Sequence, residues 1–193
     1  MPSTEARRRQ ELIAIVETSP WFMKALATVA SMHLASWCIG AGAVRNLVWD
    51  RLHGYTEPSP LTDVDVAYFD ADDLNPKTEA KLQSELEAIA PGTPWEVTNE
   101  AAVHLWFESY FGHPVQPLRS LQEAVATWPE YATSVGIALD AKSKIQIIAP
   151  WGLEDLFSIK IRRNPTRVSL QTFQQRTAQK QYSRRWPKVV VEA

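Results

Sequence analysis

The chain has 193 residues, of which 45% are hydrophobic and 22% are charged, and its formal net charge is −2. This composition is typical of a globular domain with its own core, and it argues against a disordered or fibrous chain. The single cysteine, Cys38, excludes an internal disulfide bond and disfavours a zinc site built from cysteines.

No segment approaches the roughly 18 consecutive apolar residues that a membrane span requires. Residues 1–10 are polar and contain three consecutive arginines with no apolar run behind them, unlike a signal peptide. We therefore expect a cytoplasmic protein without a membrane partner.

The small net charge hides an uneven distribution. Residues 158–193 carry nine basic side chains and one acidic side chain, or +8, so the rest of the chain carries −10. A basic segment of this kind could attract a polyanion, or it could pack against the acidic body of its own fold.

Hydrophobic spacing and Pro/Gly breaks predict the elements of the first third of the chain. They are helices over 5–18 and 21–33, a short strand over 37–40, a helix over 42–52 and a loop over 53–60.

The remaining two thirds continue to alternate strands with helices. The predicted elements are strand 63–69, helix 75–90, strand 95–97, helix 99–111, helix 120–127 with Ser120 as its cap, a hairpin of 133–139 and 145–148, helix 152–157, strand 158–162 and helix 169–182. This order predicts an α/β (α+β) fold, with a small mixed β-sheet flanked by helices and a basic helical C-terminal segment. We expect one domain over residues 1–157, and the segment 158–193 packed on it.

Two aspartates lie one residue apart in the apolar segment 61–70. Because strand side chains alternate between faces, Asp63 and Asp65 are predicted to point the same way, while Val64 and Val66 point the other way. Burying such a pair costs on the order of several kcal/mol per ion without compensation, and a divalent metal is the usual compensator. Magnesium takes hard oxygen ligands and needs only one or two protein carboxylates plus substrate phosphates. The alternative is an exposed edge strand with solvated aspartates.

A glycine turn lies one helix upstream, at Gly40-Ala41-Gly42, between a predicted strand and a predicted helix. Glycine lets backbone amides approach a phosphate closely, and the N-terminus of the next helix adds roughly half a positive charge. Arg45 lies one turn into that helix, from where its guanidinium could contact phosphate oxygens. The alternative is a tight strand-to-helix turn with Arg45 in a structural ion pair.

Three further polar residues lie close to these motifs. Asn46 and Asp50 could orient Arg45 or line the pocket, or they are ordinary polar residues of a helix. Asn99, after the third predicted strand, is a candidate contact to a base or sugar.

A glycine turn, a helix and a strand with alternating aspartates, in this order, resemble the nucleotidyltransferase superfamily typified by DNA polymerase β and kanamycin nucleotidyltransferase. More closely, segments 40–54 and 62–70 look like the bacterial nucleotidyltransferase-like family of unassigned substrate. The similarity extends through 95–99, 128–133 and 149–157, and so covers most of the chain.

This resemblance implies that Asp63 and Asp65 bind catalytic metal ions, Mg²⁺ or alternatively Mn²⁺. The residues implied in binding the nucleotide are Gly40, Ala41, Gly42, Arg45 and Asn46. A third carboxylate on a neighbouring strand usually binds metal and activates the acceptor hydroxyl in this superfamily. Glu96 matches that position, and the alternative is a surface glutamate beside a tryptophan.

The expected function is Mg²⁺-dependent transfer of a nucleoside monophosphate from an NTP to an unidentified acceptor, which could be a small molecule, a protein or an RNA. The alternative is a catalytically inactive member of the same fold, which binds a nucleotide in the cleft or nucleic acid through its basic C-terminal segment.

Overall fold

A computed structural model describes residues 2–192. Its helices are α1 (Thr4–Glu17), α2 (Pro20–Ala30), α3 (Ala41–His53), α4 (Pro76–Ile89), α5 (Val103–Phe111), α6 (Leu121–Val125), α7 (Glu154–Phe157), α8 (Leu170–Lys180) and α9 (Tyr182–Arg185). Its strands are β1 (Trp37–Gly40), β2 (Val64–Tyr68), β3 (Trp95–Asn99), β4 (Gly136–Leu139), β5 (Ile145–Ile148), β6 (Lys160–Arg162) and β7 (Val190–Glu192), and Tyr131–Thr133 forms a 3-10 turn.

Local side chains set several helix boundaries. The Ser3 hydroxyl caps α1 by accepting from the Ala6 amide, and Asn75 caps α4 in the same way, with Pro76 at its first position. Ser120 caps α6, as the sequence predicts. Gly54 ends α3 in the left-handed conformation that glycine adopts without a steric cost.

The main sheet has the strand order β3-β2-β1-β4-β5. Strands β2 and β3 run parallel, and the other neighbours are antiparallel, including the predicted hairpin of β4 and β5. Strands β6 and β7 form a separate parallel pair. The predicted small mixed sheet flanked by helices is confirmed.

The two faces of the main sheet differ in chemistry. On one face Ile39 pairs with Val66 and Ile137, and all three are buried in the core. The other face carries small and acidic residues, in the cross-strand pairs Cys38–Ala67, Gly40–Gly136 and Asp65–Glu96. Directly paired residues point to the same face, so this second face offers a shallow floor with carboxylates at one end.

Several predicted boundaries differ from the structure by a few residues: the helix expected over 21–33 ends at Ala30, and the strand expected over 133–139 begins at Gly136. Two further differences have a clear local cause. The helix expected over 99–111 begins at Val103, because Asn99 ends β3 and its side chain bonds to the backbone of Asp70, Asp73 and Ala101. The Asn99 side-chain amide is occupied by these hydrogen bonds, and the residue is only 1% exposed. Asn99 is therefore not placed to contact a base or sugar.

The second boundary lies within the helix expected over 169–182. It ends at Lys180, because Gln181 has φ 48° and the chain turns there into α9.

The C-terminal segment packs through two buried aromatic rings. Tyr182 and Trp186 meet Trp49 of α3 edge-on, with ring centroids 6.1 and 5.3 Å away. The domain boundary drawn after residue 157 stays a prediction, and these contacts cross it.

Among residues 2–192, no single helix is long and apolar enough to cross a membrane. Helices α1 and α2 reach that length and composition only when taken together, and a 90° bend separates them.

Candidate active site

Three carboxylates line one wall of a cavity of about 300 Å³ above the shallow face of the sheet. Asp65 lies on β2, and Asp63 directly precedes that strand. Glu96 lies on the parallel strand β3, with its Cα paired to that of Asp65. The alternating strand pattern therefore brings all three predicted acidic residues to the same cavity.

The Asp65 carboxyl is not fully compensated by its surroundings. Burial, followed by repulsion from Asp63 and Glu96, raises its pKa from 3.8 to about 7. The nearby Lys180 ammonium and a hydrogen bond from the Gly42 amide act in the opposite direction. A cation bound among these carboxylates would remove the repulsion that disfavours the ionised form.

Within residues 2–192, no group of three or more His, Cys, Asp or Glu side chains is arranged to hold a metal ion, so Asp63, Asp65 and Glu96 do not form a three-ligand site by themselves. This is compatible with Mg²⁺, which completes its coordination with water and substrate phosphates and rarely occupies an all-protein cage. The donor set present, with carboxylate oxygens on one open wall, fits such an ion.

The glycine turn has a different role at each position. A Cβ on Gly40 would lie 2.4 Å from the Trp128 ring, so glycine is required for this close packing. Ala41 has φ 49°, in the left-handed region, and donates its amide to the Val135 carbonyl. Ala41 and Gly42 line the cavity, and a Cβ on Gly42 would meet only ordinary contacts at 3.7 Å.

Arg45 lines the same cavity and is 3% exposed. Its guanidinium lies 4.9 to 5.7 Å from the ring centroids of Trp49, Tyr182 and Trp186, which together form an aromatic cage. Within the described residues it forms no salt bridge, and its Nε has no hydrogen-bond partner. The ion pair that the sequence offered as the alternative for Arg45 is therefore absent among residues 2–192. Arg45 is a buried cation on the wall of the cavity.

The polar neighbours of Arg45 act from behind it. Asn46 accepts a hydrogen bond of 2.8 Å from the Arg45 Nη2 and is buried, outside the cavity lining. Asp50 accepts from the Trp186 indole at 2.7 Å and from the backbone and hydroxyl of Ser59. Asn46 thus orients Arg45 directly, whereas Asp50 fixes one ring of the cage.

Two cations from α8 line the cavity with the acidic wall, and neither was singled out from the sequence. Arg176 and Lys180 are four residues apart and so share one helix face. Arg176 donates to the buried Glu130 carboxylate at 3.0 Å, and Glu130 also accepts from the Thr133 hydroxyl. Burial opposes the charge of Arg176, but Glu130 and Asp65 raise its pKa. The charge run in 158–193 and the four-residue spacing were the available signals.

The cavity therefore combines a metal-binding type of wall with a phosphate-binding type of wall. Carboxylates suit a divalent cation, and guanidinium and ammonium groups suit phosphate oxygens.

Comparison with known proteins agrees with this chemistry. The sequence profile of a family described as nucleotidyltransferase matches residues 27–191. No curated protein matches the chain by sequence. An NMR structure described as revealing a CCA-adding enzyme head domain is 25% identical, with a TM-score of 0.80 and 95% of each chain covered.

Two larger solved proteins align with only about a third of their own length. A tRNA-processing enzyme in an apo form is 18% identical, with a TM-score of 0.42, covering 84% of this chain and 37% of its own. The Bacillus stearothermophilus CCA-adding enzyme in complex with CTP is 21% identical, with a TM-score of 0.44, covering 77% of this chain and 34% of its own. Because the family profile spans most of the chain, the protein belongs to this nucleotidyltransferase family.

Proposed function

We propose that the protein transfers a nucleoside monophosphate from an NTP to an acceptor hydroxyl or similar group, with Mg²⁺, or Mn²⁺ in its place, bound at the acidic wall. The observation that carries this proposal is the convergence of Asp63, Asp65 and Glu96 on a cavity that Arg176 and Lys180 also line. A triphosphate with its cation needs these two kinds of wall together.

The chain's own residues position the reactants. Asp63 and Asp65 would hold the cation, while Arg176, Lys180 and Arg45 would bind phosphate oxygens. Such positioning and charge stabilisation provide most of the catalysis in phosphoryl transfer. Bound there, Mg²⁺ would neutralise charge that develops on the α-phosphate and on the leaving pyrophosphate.

The reaction balances with one proton acceptor. The acceptor oxygen forms a bond to the α-phosphorus, the bond from that phosphorus to its bridging oxygen breaks, and pyrophosphate leaves. Glu96 would take the proton of the acceptor hydroxyl, because it is an exposed carboxylate beside the Asp65 position.

The contacts of the basic C-terminal segment favour the packing alternative over nucleic-acid binding. Outside the cavity, Arg162 bonds to Asp155 and Lys160 to Glu192. Arg185 and Lys188 bond to backbone carbonyls of the loop after α3 and of α3 itself. Cations engaged in this way are less available to a polyanion than those of a solvated basic tail.

Calorimetry with the four NTPs, in the presence and absence of Mg²⁺, tests the proposal. We expect Mg²⁺-dependent binding by the native protein and its loss in the Asp63→Asn/Asp65→Asn variant. Asp72→Asn makes the same kind of substitution, with one charge removed instead of two, on an exposed loop residue outside the cavity, and it should bind like the native protein. Native protein that binds none of the four NTPs with Mg²⁺ would refute the proposal.

A further inference from the structure

A second, larger cavity of about 620 Å³ adjoins the candidate active site. The residues that line both cavities are Thr98, Glu100, Trp128, Pro129 and Arg176. The two cavities therefore adjoin at these five residues, and the pair of cavities is called the trough below.

The α5 side of the second cavity is aromatic. Trp106, Phe107 and Phe111 line it together with His113. Phe107 is buried, and its ring centroid lies 4.5 Å from that of Phe111 and 5.4 Å from that of His113. Trp106 and Phe111 are 40% and 47% exposed, so apolar ring surface is left open to a ligand. Such rings offer stacking surfaces to a flat heteroaromatic group.

The α8 side of the same cavity carries amides in place of rings. Gln171, Gln175 and Gln179 follow one another at intervals of four residues, so they lie on one helix face, and all three line the cavity. A glutamine amide both donates and accepts hydrogen bonds, and it can bond in a bidentate manner to the edge of a base. Stacking rings together with amide edges match a nucleobase better than a purely apolar ligand.

The junction between the two cavities holds a buried carboxylate. Glu100 is 8% exposed, and its Oε1 accepts a 3.0 Å hydrogen bond from the Trp128 indole. Within the described part of the chain, that indole is the one side-chain donor bonded to it. Burial raises the pKa of Glu100, and the indole bond and Arg167 oppose this. A carboxylate with unused acceptor capacity at this point suits the hydroxyl groups of a sugar.

We propose that the trough binds a ribonucleoside triphosphate along its length, with the triphosphate in the first cavity, the ribose at Glu100 and the base in the second cavity. The triphosphate end rests on the proposed function, whereas the ribose and base positions rest on the second cavity alone. The order phosphate, sugar, base in the ligand then matches the order of cations, buried carboxylate, and rings with amides in the protein.

Calorimetry with a ligand series and paired variants tests this arrangement. Trp106→Ala and Gln175→Ala remove lining side chains that lie outside the buried core, so folding should survive. Tyr110→Ala and Gln174→Ala are the matched controls on the same helices, since neither residue lines the cavity. With Mg²⁺, we expect Trp106→Ala to weaken the preferred NTP by about 5- to 150-fold, the range that corresponds to one base stacked on an aromatic ring. Tripolyphosphate should bind the variants and the native protein equally.

The ribose position has its own readout. Glu100→Gln keeps an oxygen for the Trp128 indole but removes the charge. We expect it to reduce the preference for an NTP over the matching dNTP, while tripolyphosphate binding stays unchanged. An unchanged preference would refute the role of Glu100.

The remaining outcomes separate the two proposals. NTP binding that Trp106→Ala and Gln175→Ala affect no more than their controls would refute the base position and leave the proposed function standing. If a nucleoside binds the NTP-saturated protein and this binding is lost in Trp106→Ala, the second cavity binds an acceptor. That result would also refute the base position. If NTPs and tripolyphosphate both fail to bind with Mg²⁺, the proposed function fails. In that case, binding of free nucleosides tests the base position. The base position stands if a nucleoside binds the native protein but not the Trp106→Ala variant, and any other result refutes it.

Discussion

Replacing Ala41 by glycine should stabilise the protein, although glycine at a helical residue normally does the opposite. With φ 49°, Ala41 occupies the left-handed region, which costs a residue with a Cβ about 1–2 kcal/mol. Glycine avoids this strain but loses more backbone entropy on folding, by about 0.5–1 kcal/mol. The mid-values of these two ranges predict a gain of about 0.75 kcal/mol in the free energy of unfolding.

Urea and thermal unfolding of Ala41→Gly measure this gain. For a chain of this size it corresponds to a rise of about 1–4 °C in Tm. Ala43→Gly is the matched control, because Ala43 lies two residues further into α3 and is fully buried, and it should lose about 1 kcal/mol or more. If both variants lose stability, the left-handed conformation at Ala41 and the strain argument are wrong.

Three further predictions concern the site. Gly40→Ala should lower the free energy of unfolding by about 1–3 kcal/mol, because the new Cβ would collide with Trp128. Gly42→Ala should lower it much less. Urea denaturation compares the two variants, and equal losses would contradict the packing argument. Arg45→Lys should lower the free energy of unfolding by about 1–2 kcal/mol in the same assay, because lysine keeps the charge but has no planar group to stack on the rings. Native-like stability of this variant would show that the aromatic cage does not stabilise the fold. Mg²⁺ with an NTP at about 100 times its Kd should add about 2.7 kcal/mol of stability, read as a rise in Tm. Asp65→Asn should abolish this rise, and a variant that keeps it would exclude Asp65 as a cation ligand.

Sequence patterns predicted the features that depend on neighbouring residues. The alternation around Asp63 and Asp65 is a strand signal with a period of two, and β2 lies where that signal places it. The hairpin and the caps likewise depend on a few adjacent residues. The helix after β3 was extended too far, because the turn there depends on bonds from the Asn99 side chain to Asp70 and Asp73, 29 and 26 residues away.

Features that depend on contacts between distant segments could not be predicted from the sequence. The cage around Arg45 takes Tyr182 from 137 residues away, and no periodicity predicts that contact. The pairing of β7 with β6 is a further case, since a strand of three residues, two valines and a glutamate, does not specify a partner. The conformation of Ala41 also escapes sequence patterns, because alanine ordinarily favours a right-handed helix.

The uneven distribution of charge along the chain corresponds to the two walls of the candidate site. The acidic wall comes from β2 and β3, in the part of the chain that carries −10, while Arg176 and Lys180 come from the segment that carries +8. The same segment supplies Tyr182 and Trp186, which hold Arg45 toward the cavity. A cation–triphosphate complex has its own positive and negative ends, so it needs both kinds of wall at once. Residues 158–192 therefore contribute one side of the candidate active site.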